Sequence, residues 1–314
     1  MKWLFAQDWA KDLPAGGEDY AFAGPSSDTE DVLAELRLWE ETAPRLKQYA
    51  REMVRIGWFP KAADETDSRS IQSLVTLLHG YPQSSPALLR GSLEPLNATE
   101  ETDPRLFAWL AHLNWMSTKE KFQAPYDPKS FKVESLSEIA RLSMHADGPV
   151  RALQFLRKRG ISTHVCAAIP GTRVDGCAFW SLARRPLIGL SLRLDRLDNF
   201  WFTLLHECAH VALHVKGPNQ AFADLLTKRD ETDEMEIEAN LAAADAAIPR
   251  ALWKRSDASK WPTPANIERL AQQAQIHPSI VAGRIRFERS DYKILTKMVG
   301  QGQPSKLLRS ADLS

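Results

Sequence analysis

Cysteine is scarce in this chain: Cys166, Cys177 and Cys208 are the only three in 314 residues, and none forms a C-x-x-C. An odd, widely spaced set does not read as a disulfide framework and fits reduced thiols in a reducing compartment. Long apolar runs are also missing. No window reaches the roughly 18 uninterrupted apolar residues of a membrane-spanning helix, so none is expected. The N-terminus, MKWLFAQDWAKDLPAGGEDY, lacks the apolar core and small-residue cleavage site of a secretory signal. These absences together lead us to expect a cytoplasmic protein with no membrane partner. A surplus of either charge is absent too: 40 basic residues balance 40 acidic ones. That argues against an extended polyanion-binding surface. Internal repeats and low-complexity blocks are not seen. What remains is the profile of an enzyme or binding protein, long enough for one large core or two smaller domains.

The pattern along the chain is mainly helical. Residues 10–28 are rich in Gly, Pro, Ser and Asp and read as an irregular lead-in. Apolar residues then recur at helical spacing over 28–58, interrupted at Pro44, and again around 69–79, 86–91, 104–116 and 118–122. No pair of short helices around a tight turn with a basic second member stands out between 28 and 120, so a helix-turn-helix is not expected there. The segment QAPYDPKSFK (123–132) reads as a linker. Beyond it, a helix capped by Ser135 or Ser137 runs to about Met144, and a second, PVRALQFLRKRG, ends at Gly160. Three strand-like runs follow: ISTHVCAAI (161–169), DGCAFWSL (175–182) and PLIGLSLRL (186–194). The last two are joined by ARR in an expected hairpin. Helices are expected at about 199–215, at 232–247 with Thr232 as N-cap, and around 264–274 and 278–288.

The chemistry concentrates in FTLLHECAHVALH (202–214), where His206, Glu207 and His210 form an H-E-x-x-H. On a helix, residues four apart lie only about 40° apart in azimuth and about 6 Å apart along the axis. His206 and His210 can therefore aim two imidazole nitrogens at one metal ion. Glu207, about 100° round from His206, can reach a water there without being a ligand. Such a zinc site needs a third protein ligand and an open fourth position. The next helix, TDEMEIEANLAAADAAIP (232–249), offers Glu234, Glu236, Glu238 and Asp245. Helical spacing puts Glu234, Glu238 and Asp245 on one face and Glu236 elsewhere, and by that geometry Glu234 and Glu238 are equally good. Taken alone, each of the four reads first as a solvated charge, the early ones complementing the helix dipole. His214, one turn beyond His210, reads as a supporting residue, because a fourth protein ligand would close the catalytic position. Arg284 and Arg286 could steady a substrate carboxylate or oxyanion, with surface ion pairing the plainer reading.

Both stretches resemble the ImmA/IrrE family of metallopeptidases. Its zinc helix is typically F-T-[LA]-x-H-E-[LIC]-[GA]-H, and its second motif is E-x-E-A-[ND]-x-F-A-x-x-L-[LM]-P. Glu236, Glu238, Ala239, Asn240, Ala243 and Pro249 fall on that second pattern, while Ala242, Ala246 and Ala247 replace bulkier residues. The resemblance implies Glu238 as third ligand beside His206 and His210, with Zn2+ as cofactor and Glu207 as general base. It further implies Asn240 as a hydrogen-bond partner of a zinc-bound histidine. In similar peptidases an edge strand just before the zinc helix receives the substrate, which points to Leu187, Ile188, Gly189, Leu190 and Ser191 here. The stretches 169–207 and 276–289 are similar to the subgroup fused to HigA-type antitoxin-like repressors, whose relatives usually carry an N-terminal helix-turn-helix. Direct DNA binding by this chain is not expected.

The expectation is thus a helix-rich α+β protein. A helical region (1–125) precedes a minimal zincin-like domain (133–298) with a small antiparallel or mixed sheet and an active-site helix pair, and a flexible tail (299–314) follows. By the resemblance, the function is zinc-dependent endoproteolysis of a helix-turn-helix (XRE-type) regulator or antitoxin in a stress or phage-related response. Two rivals stand beside it. One is a non-proteolytic antitoxin or regulatory partner, for instance of a toxin, that keeps a zinc site. The other is a zinc hydrolase acting on a non-peptide amide.

Overall fold

The computed structural model describes residues 49–58, 103–122, 124–181, 183–215, 221–225 and 234–311. The expected lead-in, most of the early helical patterns and the Thr232 cap lie outside these residues. In chain order the helices are α1 (Ala50–Arg55), α2 (Pro104–Lys119), α3 (Val133–Arg141) and α4 (Gly148–Lys158), before strands β1 (Ser162–Val165), β2 (Val174–Trp180) and β3 (Pro186–Leu190). Then come α5 (Leu197–Leu213), β4 (Ala221–Leu225), α6 (Glu234–Ala247), α7 (Arg250–Arg255), α8 (Asp257–Lys260), α9 (Pro264–Ala274), α10 (Pro278–Glu288) and α11 (Gln303–Ser310). The helix-rich α+β class is as expected. No helix among the described residues is long and apolar enough to cross a membrane.

The strands form one mixed sheet in the order β1-β3-β2-β4. The hairpin expected between β2 and β3 forms, with Trp180 opposite Pro186 and Gly176 opposite Leu190. β3 also pairs in parallel with β1, from Ser162 opposite Leu187 to Val165 opposite Leu190. This corrects the expectation that residues 187–191 form a substrate-receiving edge. Leu187, Ile188, Gly189 and Leu190 are hydrogen-bonded on both sides, and Ser191 donates its hydroxyl to Val174 O at 2.6 Å. A strand with both ladders filled has no backbone groups left for a substrate. Among the described residues, the edges of the sheet are β1 and β4.

Because side chains alternate across a strand, the two faces of β2 and β3 serve different helices. Ala178, Ile188 and Leu190 join the core around α5, while Cys177, Phe179 and Leu187 join a second cluster around α2 and α1. α5 is buried nearly all round, its polar residues Asp198, Thr203, His206, Glu207 and His210 included. Its Phe200, Trp201, Leu204, Leu205, Cys208 and Ala209 are buried, and the helix packs on β2, β3, α3, α6 and α10. Each of its large side chains contributes about 1.5–3 kcal/mol by leaving water.

α2 closes the opposite face. Trp109, fully buried, donates its indole N–H to Cys166 O at 2.9 Å, and Trp58 just beyond α1 donates to Ala167 O at 3.0 Å. At Gly189 a Cβ would lie 2.3 Å from Leu113 Cδ1, so the absent side chain lets α2 approach the sheet. The expected division at about residue 125 therefore does not separate two packing units. A sheet buried on both faces needs helices on both, and α5 can cover only one.

The C-terminal end also differs from the expected flexible tail. α11 places Leu308 at 0% exposure beside α4 and α5. Its N-terminal turn is tied to Asp195 by the Ser305 amide and hydroxyl and by the Gly302 amide at 2.7 Å. In LLRS the apolar signal is too short to stand out from a polar tail, although Leu308 is enough to anchor it.

Candidate metal centre

The site lies between α5 and the first turn of α6. His206 and His210 on α5 and His214 at its C-terminal cap succeed one another at four-residue intervals, and all three are buried. His206 Nε2 and His210 Nε2 lie 3.0 Å apart and face the same point. α6 brings Glu236 to them: its carboxylate oxygens lie 3.3 Å from His206 Nε2 and 3.1 Å from His210 Nε2. Ligand atoms of these three residues all fall within 4.8 Å of one another. Two imidazoles and a carboxylate are the donor set of a catalytic zinc site, and three protein ligands leave a coordination position open.

The acid brought to the histidine pair is thus Glu236, whereas Glu238 was the expected third ligand. Glu238 sits 3.0 Å from His214 Nε2, with its side chain 65% exposed. The physical reason is helical geometry: residues two apart differ by about 200° in azimuth and cannot serve the same point. Position in the first turn of α6 also suits Glu236, because the unpaired amides there favour negative charge. Asn240, one turn beyond Glu236 on the same helix face, is half-buried. Glu234 is exposed.

The electrostatics follow from this packing. Burial opposes ionisation of Glu236, yet hydrogen bonds from His206 and His210 outweigh it and hold the carboxyl well below the usual carboxylate range. Burial lowers the His210 pKa, helped by the neighbouring His206 and His214 and opposed by Glu236, which favours the neutral imidazole that a metal needs. Burial, reinforced by Glu207, pushes the Cys177 and Cys208 thiols well up, so both stay protonated.

Glu207 is fully buried, on the face of α5 that meets β2. A Cβ at Gly176 would stand 2.6 Å from Glu207 Oε1 and 2.6 Å from Thr203 Cγ2. Glycine at this point of the strand makes room for the carboxylate.

Two arginines weighed as substrate contacts have structural work instead. Arg286, 3% exposed, reaches Asp198 at 3.4 Å and the Tyr292 carbonyl, fastening α10 to the start of α5. Arg284 lies 4.2 Å over the Trp253 ring and donates to Ile248 O at 3.2 Å, at the end of α6.

The acid that the structure brings to the histidine pair, and that the sequence reading did not choose, is Glu236. It stands in the same E-x-E as Glu238, so its signal was present, but choosing between the two needs the rotation of α6 against α5. His214 held the clue. A third histidine on the same face offers one acid a partner other than the metal.

Residues 160–286 match the family model of Peptidase M78, described as the IrrE N-terminal-like domain. Over these residues the chain is similar to the ImmA/IrrE metallopeptidase family. The matched span begins just before β1 and ends in α10, so it contains the sheet, α5 and α6. The helices that cover the far face of the sheet, α1 and α2, lie outside it, as does α3, which packs on α5 and α6. No curated protein and no solved structure matches the chain.

Proposed function

We propose that this protein is a zinc-dependent endopeptidase whose metal is held by His206, His210 and Glu236. The observation that carries the reading is the convergence of two imidazole nitrogens and a carboxylate on one point, with Glu207 between the histidines in sequence, inside a peptidase-family domain. A zinc ion at such a site supplies a Lewis acid that makes water a usable nucleophile near neutral pH. The remaining work belongs to the protein. Glu207 takes a proton from the attacking water and delivers it to the leaving amine. Its burial and its seat against Gly176 restrict where that carboxylate can point. Asn240, on the Glu236 face, is placed to support the site by hydrogen bonding.

With β3 filled on both sides, β4 becomes the strand we assign to an extended substrate. It is a sheet edge, it follows α5 directly, and it pairs with β2, whose Gly176 faces Glu207. Backbone pairing at an edge strand gives affinity without demanding one particular sequence. By family analogy the substrate is a helix-turn-helix regulator or antitoxin, cleaved in a stress or phage-related response.

The test compares cells carrying the wild type with cells carrying Glu207→Gln. The purified variant should hold zinc like the wild type, and mass spectrometry should find a regulator cleaved by the wild type at least about 100-fold faster. Equal cleavage by both proteins would remove Glu207 from the mechanism. No cleaved protein in wild-type cells, with the phenotype intact in the variant, would favour the binding role.

A further inference from the structure

His214 and Glu238 continue the metal cluster outward. His210 Nδ1 lies 3.1 Å from His214 Nδ1, and His214 Nε2 lies 3.0 Å from Glu238 Oε2. The chain of contacts therefore runs from the metal-facing Nε2 of His210, through two imidazole rings, to a carboxylate at the surface.

Only one arrangement of protons suits this chain when His210 holds a metal. A ligand nitrogen must present a lone pair, so His210 carries its proton on Nδ1. That N–H can donate only if His214 Nδ1 is a bare acceptor, which puts the His214 proton on Nε2. From there it is donated to Glu238, and an ionised carboxylate can only accept. Each contact then holds one proton, with donor and acceptor matched throughout. The opposite tautomers would place a proton on His210 Nε2 and block the metal. Partners of this kind orient a ligating imidazole and raise its basicity.

We infer that His214 and Glu238 are positioning residues for the metal site, a histidine–carboxylate relay that fixes the tautomer and ring orientation of His210. The inference rests on the assignment of His206, His210 and Glu236 as ligands. It gives Glu238, two residues from Glu236 in the same motif, a separate role, and it explains a histidine one turn beyond the H-E-x-x-H.

The test is zinc affinity, measured by chelator competition on the full chain, together with the visible absorption of the Co2+ form. His214→Phe should weaken zinc binding about 10–100-fold and alter the Co2+ spectrum, the loss expected for an outer partner of a ligand histidine. Glu238→Ala should weaken it less, by about tenfold, because water can take over part of the acceptor role at this exposed end. Glu238→Gln keeps an acceptor oxygen and should stay close to the wild type. The exposure of Glu238 makes its variants safe to fold, and the metal-free proteins should melt together. Wild-type affinity in both His214→Phe and Glu238→Ala, with binding lost in Glu236→Ala, would overturn the relay and leave the ligand set standing. Wild-type affinity in Glu236→Ala would overturn the ligand set, and loss of binding in Glu238→Ala alone would make Glu238 itself the ligand.

Discussion

A single methyl group at position 176 tests whether the sheet holds Glu207 in place. Gly176→Ala puts a carbon 2.6 Å from Glu207 Oε1, 2.6 Å from Thr203 Cγ2 and 3.0 Å from Glu207 Cγ. Ordinary contact begins near 3.4 Å, so something must move by most of an ångström. Neither neighbour can escape into water, because Thr203 is 5% exposed and Glu207 0%. Overpacking of this kind costs about 1–3 kcal/mol. At about 2–4 °C per kcal/mol for a domain of this size class, the melting point should fall by several degrees. The effect on chemistry should be larger in proportion, since a displacement of about 1 Å in a reacting group can cost about 100-fold in rate. Zinc content should be unchanged, because the atoms nearest the new methyl belong to Glu207 and Thr203 and not to His206, His210 or Glu236. The assay pairs thermal unfolding with cleavage of the regulator identified in the Glu207→Gln comparison, and zinc is measured on the same samples. Wild-type cleavage by Gly176→Ala would show that Glu207 is not held against β2, and zinc lost in step with activity would locate the damage in the ligands.

Two further predictions concern the frame around the site. Burial, with a smaller contribution from His164, lowers the pKa of His112 on α2 to about 4, against about 6.5 in the unfolded chain. Above pH 6.5 the residue is neutral in both states. Between 6.5 and 4 only the unfolded chain takes up the proton, so stability falls with pH across that window, by roughly 3 kcal/mol from this residue. Urea unfolding at pH 7 and pH 4 should show a smaller acid loss in His112→Phe, and an identical loss would refute the assignment. At the other end of the chain, Leu308→Ala should destabilise by about 2–5 kcal/mol, as expected for a fully buried leucine, while a flexible tail would leave the denaturation midpoint unmoved.

Much of the fold was legible because its signals are local. α9 and α10 follow apolar spacing and proline starts, and the β2–β3 hairpin follows two apolar runs around a short polar turn. The errors came where local pattern was silent about long-range partners. PLIGLSLRL reads as a strand, but its composition does not say that β1 will pair with its free side. The apolar face of α2 reads as helical core, but nothing in Trp109 or Leu113 says that the core is the back of the sheet that carries α5. The polar stretch at 123–132 looked like a boundary because linkers and loops share a composition. In this chain it is the return path of a helix that the sheet requires.

The metal site divides along the same line. His206, Glu207 and His210 were legible because a helix fixes their relation within one segment, independent of the fold. Glu236 and Glu238 are both acidic, two residues apart, at the start of one helix, and a rotation of α6 by about 160–200° would exchange their roles. What sets that rotation is packing. Ala239, Ala243 and Ala247 are buried on α6, while Leu241 is 62% exposed and Ile237 42%. Had hydrophobic size set the face, Ile237 and Leu241 would point inward. Instead a stripe of small alanines lies against α5, where small side chains permit close approach of the two helix backbones. The departures from bulky residues at Ala242, Ala246 and Ala247 belong to the same thin-sided helix. In this helix pair it is the alanine stripe that directs Glu236 to His206 and His210, and Glu238 to His214.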